Sequence, residues 1–189
     1  MPLAEKRHYT LADVMGWDEK ERYELIGGEP VMLATPLRIH QKIVSEFNRQ
    51  LGNFLEGKKC QVYPAPFAVR LFEGAGDLPE NTDTMVEPDV TVICDSEKLD
   101  KIGCKGAPDF ILEVLSPSSQ RHDRLVKFNL YQTAGVKEYW IADPANRIVE
   151  AFLLENGIYT VKELGLADSI LRVNVLDGCY IDLSKVFSE

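Results

Sequence analysis

The chain has 189 residues, 45% of them hydrophobic and 27% charged. That mixture is ordinary for a globular protein able to bury a sizeable core. No apolar run approaches the roughly 18 residues of a membrane span, and the opening MPLAEKRHYTLADV lacks a signal peptide's apolar segment, so no membrane partner and a cytoplasmic location are expected. The formal net charge of -9 counts against a nucleic-acid binder, because phosphate contacts supply most non-specific affinity. The run Gln120 to Lys127 (QRHDRLVK) is a candidate local basic patch.

In chain order, Thr10-Leu-Ala-Asp13 has the form of a helix start, with Leu11, Val14, Met15 and Trp17 giving an apolar face over about 10–18. Tyr23–Ile26 and Pro30–Leu33 read as two strands closed by Gly27-Gly28, a hairpin. From Pro36, the residues Ile39, Ile43, Val44, Phe47, Leu51, Phe54 and Leu55 recur at three- and four-residue steps, which predicts an amphipathic helix over about 36–56 ended by Gly57. Cys60–Tyr63 and Phe67–Phe72 read as strands broken by Pro64 and Pro66. Gly74 to Asp83 is polar and glycine-rich, a mobile loop.

Next come two strands, Val86–Cys94 and Phe110–Leu115, then a helix over about 118–134 capped by Gly135. Val136–Asp143 and Arg147–Leu154 follow as strands around the turn Asp143-Pro-Ala-Asn146. Glu155-Asn-Gly157 forms a hairpin turn into Ile158–Leu164, and two short strands and a helix over about 182–188 complete the chain. The pattern is α/β, with antiparallel hairpins near both ends, and without repeats or linkers it predicts a single domain over 1–189. Four scattered cysteines, Cys60, Cys94, Cys104 and Cys179, show no C-x-x-C spacing. That argues against zinc and gives no support for a disulfide framework. Cys94 and Cys179, in apolar surroundings, read as buried free thiols.

Two acids stand where a core is expected. Glu113 lies inside Phe110-Ile-Leu-Glu-Val-Leu115, and alternation puts it on one side with Asp109, Ile111 and Leu115. A buried glutamate there needs a cation, a lysine or a raised pKa. Asp89 follows Pro88 near the start of its own strand; alone, it reads as a loop aspartate. Two carboxylates on adjacent buried strands repel unless a divalent ion or a lysine lies between them. Asp123, Lys127 and Tyr131 share a helix face four residues apart, although Asp123 to Lys127 alone is an ordinary surface ion pair. Glu24, in Tyr23-Glu-Leu-Ile26, reads equally well as an exposed edge-strand residue. His40, beside the apolar face of the long helix, is an auxiliary candidate.

These stretches carry a resemblance. Tyr23-Glu-Leu-Ile-Gly-Gly-Glu29, Glu87-Pro-Asp-Val90, Leu112-Glu-Val-Leu-Ser-Pro-Ser118, Asp123 to Lys127 to Tyr131, and Gly135-Val-Lys-Glu-Tyr-Trp-Ile-Ala-Asp143 resemble the Uma two family of endonucleases. That family lies within the PD-(D/E)xK restriction-endonuclease-like superfamily. The resemblance implies a mixed central sheet flanked by helices. Asp89 and Glu113 match the two acidic positions, and Glu24 matches an additional N-terminal acid. The pattern departs after Glu113, where Val114 is followed by Leu115 rather than lysine, and Lys127 on the next helix takes that place.

The function expected is Mg²⁺-dependent hydrolysis of DNA, Mn²⁺ substituting. Asp89, Glu113 and the Val114 carbonyl would hold the ion, Lys127 would stabilise the transition state, and Glu24 would assist a second metal or its water. A homodimer would suit the cutting of both strands. The alternative is a catalytically inactive nuclease fold kept as a binding or assembly module. A carboxylate pair acting on a glycoside fits less well, since only Trp17 and Trp140 could form a sugar platform. No phosphate-loop or dinucleotide pattern is present.

Overall fold

Every residue of the runs Phe110-Ile-Leu-Glu-Val114 and Glu138-Tyr-Trp-Ile-Ala-Asp143 is buried, as expected of inner strands covered on both faces. The computed structural model describes residues 7–17, 22–74, 76–117 and 122–188. Its helices are α1 (Leu11–Val14), α2 (Arg38–Leu55), α3 (Phe128–Ala134), which continues a π-helical segment (His122–Lys127), and α4 (Leu183–Val186). Its strands are β1 (Tyr23–Ile26), β2 (Glu29–Met32), β3 (Gln61–Pro64), β4 (Ala68–Arg70), β5 (Val90–Ile93), β6 (Gly103–Lys105), β7 (Phe110–Val114), β8 (Glu138–Asp143), β9 (Ile148–Glu155), β10 (Ile158–Leu166), β11 (Ile170–Arg172) and β12 (Tyr180–Asp182).

The main sheet is six-stranded, in the order β10-β9-β8-β7-β5-β3. Strands β7 and β8 are parallel and the other pairs antiparallel, which makes the sheet mixed. The parallel pair needs a crossover, which the π segment and α3 provide. Helix α2 lies on one face: Ile43, Val44, Phe47, Leu51 and Leu55 join Phe110, Leu112, Val114 and Trp140 in one core, closed by Leu171, Ile181 and Val186 from the C-terminal hairpin and helix. On the other face Ile111, Leu115, Tyr131, Tyr139, Ile141 and Tyr159 form a second core. Alternation along β7 thus sends Phe110, Leu112 and Val114 toward α2, and Ile111 and Glu113 toward α3.

Short devices fix the register. Asn156 and Gly157 have φ of 53° and 80°, the paired left-handed conformation that a tight β9–β10 hairpin requires. Glu138 is a fully buried acid with purely neutral donors: Trp140 Nε1 at 2.7 Å, Asn174 Nδ2 at 3.1 Å and the Val175 amide at 2.8 Å. It ties the C-terminal segment to the sheet.

The elements expected from sequence are present, with informative differences. Helix α1 is shorter than expected, although Asp13 accepts from the Thr10 amide at 2.9 Å. The run Val86–Cys94 is divided at Pro88: Val86 bridges Val69, and the strand begins at Val90. The helix expected from about 118 starts, among the described residues, as a π-helical segment at His122, and Ser118–Arg121 lie outside those residues. Trp140 is fully buried and offers no sugar platform.

The expectation that Cys94 is a free thiol is overturned. Gln61 lies opposite Ile93, so the next pair outward is Cys60 and Cys94, and they form a disulfide with Cα atoms 3.9 Å apart. Cys104 and Cys179 are buried free thiols.

Phe47 anchors α2 to the sheet, fully buried and edge-on to Trp140 at 6.1 Å between ring centroids. Phe47→Ala should lower the unfolding free energy by about 3–5 kcal/mol. Urea denaturation checks this, and a loss under 1 kcal/mol would contradict the packing described.

Candidate active site

The face of β7 that carries Glu113 looks onto an apolar layer, so this carboxylate needs partners. It has two: Glu113 Oε1 accepts from Lys127 Nζ at 2.9 Å and from Tyr131 Oη at 2.6 Å. The ammonium of Lys127 also lies 2.8 Å from Glu24 Oε1 and 3.8 Å from Asp123 Oδ1. Glu24, Glu113, Asp123 and Lys127 are all buried. Residues 123, 127 and 131 are all buried, on a helix that runs in π geometry through Lys127 and in α geometry from Phe128. Such π turns are frequent at functional sites.

Glu24 reaches this point from the N-terminal hairpin. Backbone hydrogen bonds join Leu25 to Met85 in both directions, at 2.7 Å each, and Leu11, Leu25 and Met85 form a small core beneath. Glu24 Oε1 additionally accepts the Glu87 amide at 3.0 Å, and Arg22 pairs with the Glu87 side chain. The other oxygen, Oε2, is buried with no hydrogen-bond partner among the described residues. Facing it at 3.9 Å is His122 Nε2, also buried and without a partner.

Asp89 sits just ahead of β5. Its Oδ2 accepts the Val114 amide at 2.7 Å and lies 3.1 Å from His40 Nε2, on the first turn of α2. The carboxylate is therefore fixed against the backbone of the residue that follows Glu113. Burial disfavours the charged imidazole of His40, but the hydrogen bond and charge of Asp89, the charge of Asp123 and the Val114 carbonyl prevail, and its pKa is raised.

Three carboxylates, Glu24, Glu113 and Asp123, surround one ammonium, and Asp89 lies beside them against the Val114 amide. Burial is the largest force driving the Glu113 pKa upward; Lys127 opposes it, and the charges of Asp123, Asp89 and Glu24 add to it. Burial works against the Lys127 charge too, yet Glu113, Glu24 and Asp123 outweigh it and raise its pKa. Burial, then the charges of Glu113 and Glu24, hold the Tyr131 phenol well above its ordinary pKa. It stays protonated and donates.

A strand-borne buried glutamate, a lysine brought in from the following helix and an aspartate at a strand entrance are all in place. The family model described as "Uma2: Putative restriction endonuclease" matches residues 11–184. The chain belongs to this family. It is 26% identical over 121 residues to the uncharacterized protein slr1290 of Synechocystis sp., an alignment that covers 63% of this chain and 60% of that protein. Its fold is similar to that of a crystal structure described as "a putative nuclease belonging to DUF820 from Anabaena variabilis". The TM-score is 0.71 with 19% identity, over 95% of this chain and 97% of that one. At that identity the likeness is one of fold.

In this Uma2 chain the site differs from the sequence reading at several points. A divalent ion or a lysine is expected between Asp89 and Glu113; Lys127 lies between Glu24 and Glu113, and Asp89 pairs with His40. Glu24 is fully buried rather than an exposed edge residue, because the Met85–Glu87 segment covers it. The Asp123–Lys127 pair is internal, not a surface pair. The run from Gln120 to Lys127 presents no free basic patch among its described residues: Lys127 is buried and Arg124 is paired with Glu150. His122 was passed over in sequence, having only its place in that run to mark it.

Whether these residues suit a divalent ion is a question of donors. Among the described residues no three His, Cys, Asp or Glu side chains are gathered ready to hold a metal. Mg²⁺, however, is commonly held by one or two carboxylates, with water and substrate oxygens completing its shell. Asp89, Glu113 and the Val114 carbonyl are hard oxygen donors on adjoining backbone, and Glu24 Oε2 is a buried oxygen lacking any partner. The set fits such an ion.

Removing the ammonium should expose the strain among the acids. Lys127→Met should lower the unfolding free energy at pH 7 by about 3–5 kcal/mol, and adding Glu113→Gln should restore much of it. Glu113 has a folded pKa above its unfolded value. Its contribution is therefore present below the ordinary carboxylate range and is lost as pH rises through the folded value. Lys127→Met should accordingly regain stability on acidification toward pH 4. Urea titrations at several pH values read this, and a Lys127→Met deficit that does not shrink with acid would contradict it.

Proposed function

We propose that the protein is a divalent-metal-dependent endonuclease that hydrolyses DNA phosphodiester bonds, with Glu24, Asp89, Glu113 and Lys127 as its catalytic residues. The observation that carries this is a buried lysine within 2.9 Å of the strand glutamate and 2.8 Å of a second acid, beside an aspartate on the adjoining strand entrance. Asp89, Glu113 and the Val114 carbonyl would hold Mg²⁺, or Mn²⁺ in its place. When bound, the ion supplies Lewis-acid chemistry, drawing charge from the phosphate and acidifying water.

The chain's own residues do the rest. Lys127 offers a pre-positioned cation where negative charge grows on the phosphate, in a site shielded from water. Tyr131 holds Glu113 Oε1 and limits its rotation. The Val114 amide and His40 orient Asp89. In this reading the chain acts as a single domain, 1–189, in a cytoplasmic homodimer whose two sites address two strands.

A second reading has its own support. Lys127 already neutralises part of the acidic cluster, and Arg124 is engaged by Glu150. Both suit a nuclease fold retained as an inactive binding or assembly module.

Two measurements separate the readings. Glu113→Gln should reduce plasmid cleavage in Mg²⁺ by roughly a thousandfold or more while the circular dichroism spectrum stays that of the wild type. Cleavage at the wild-type rate would sink the assignment. Calorimetric titration with Mg²⁺ and Mn²⁺ should give heats that vanish in Asp89→Asn; no heat with the wild type would favour the inactive module.

A further inference from the structure

Among the described residues, Glu24 Oε2 and His122 Nε2 are buried atoms without a hydrogen bond that face each other across the site. Resting on the metal-dependent reading above, we propose that Glu24 Oε2 and His122 Nε2 form a second cation half-site, one carboxylate oxygen and one imidazole nitrogen, selective for Mn²⁺-like ions over Mg²⁺. Glu24 is buried on every side, and its Oε1 is committed to Lys127 and to the Glu87 amide. That commitment fixes the carboxylate plane and aims Oε2 at the imidazole. Among the described residues neither Oε2 nor His122 Nε2 has a hydrogen-bond partner, and both atoms are shielded from solvent. A buried polar atom left unsatisfied costs about 1–3 kcal/mol, so an unpartnered carboxylate oxygen facing an imidazole nitrogen marks a place for a shared partner.

The 3.9 Å between them is too long for a direct hydrogen bond. It is within reach of one ion: with metal–ligand bonds of about 2.1 Å, two ligands of one ion can lie at most about 4.2 Å apart, so the pair would hold it at a wide angle. The imidazole sets the preference. Nitrogen donors favour first-row transition ions, whereas Mg²⁺ seeks an all-oxygen shell. His122 opens the π segment whose other end supplies Lys127, so the half-site and the ammonium share one rigid element. Two protein donors leave the remaining positions to water and to phosphate oxygens.

Pulsed electron paramagnetic resonance on the full-length protein, stripped with EDTA and loaded with Mn²⁺ alone, tests this through the ¹⁴N modulation of a directly bound imidazole. The modulation is expected in the wild type and in His40→Asn, and should be absent in His122→Asn. The same His122→Asn change should weaken Mn²⁺ binding by roughly tenfold or more and Mg²⁺ binding by much less. Bound Mn²⁺ without nitrogen modulation overturns the half-site while leaving the oxygen-ligated centre standing. Modulation that disappears with His40→Asn instead assigns the nitrogen elsewhere and also overturns it. A protein that binds no Mn²⁺ removes both the half-site and the metal-dependent reading.

Discussion

An ammonium group cannot be taken out of water cheaply: the effective penalty is several kcal/mol, and so is that of each carboxylate beside it. The core of this protein holds one lysine and several acids in direct contact, and each is tolerable only because the others are present. Lys127 Nζ is the point at which three separately folded pieces meet: the N-terminal hairpin through Glu24, the central sheet through Glu113, and the π segment that carries the lysine itself. The apolar contacts of Leu25 and Met85 hold the hairpin against its neighbour, but they do not fix which way its acid points. The lysine does.

Burial of an acid is not by itself a sign of chemistry, and this sheet contains the control. Glu138 is as deeply buried as Glu24, yet it is answered by an indole, an amide side chain and a backbone amide. Those donors are neutral and numerous enough to satisfy an ionised carboxylate. Glu113 receives an ammonium and a phenol, with further acids close enough to push its pKa up. What separates the two is the surrounding charge.

Glu113 was legible in sequence because it interrupts five apolar neighbours in a strand of period two. Lys127 was legible because helical spacing relates it to Asp123 and Tyr131. The amphipathic run of α2 gave that helix nearly its observed limits. Other features lay outside local pattern. Local pattern alone left Glu24 between an exposed edge position and a role, because the Met85–Glu87 segment that covers it comes some sixty residues later. The Cys60–Cys94 pairing depends on the β3–β5 register, which cysteine spacing does not encode. His40 and His122 acquire meaning only from the acids opposite them, on other elements. The wider turn at His122–Lys127 has no compositional mark at all, since it answers to what the helix must face.

The lysine's arrival from a separate element also changes how the site can be taken apart. Two residues after Glu113, the strand carries Leu115, which packs into the second core. Strand and cation thus come from different elements, although Tyr131 of the cation's arm shares the second core with Ile111 and Leu115. A displacement of the His122–Ala134 arm would withdraw Lys127, Tyr131 and His122 together in one movement, so that losing the site's charge also uncovers one face of the sheet.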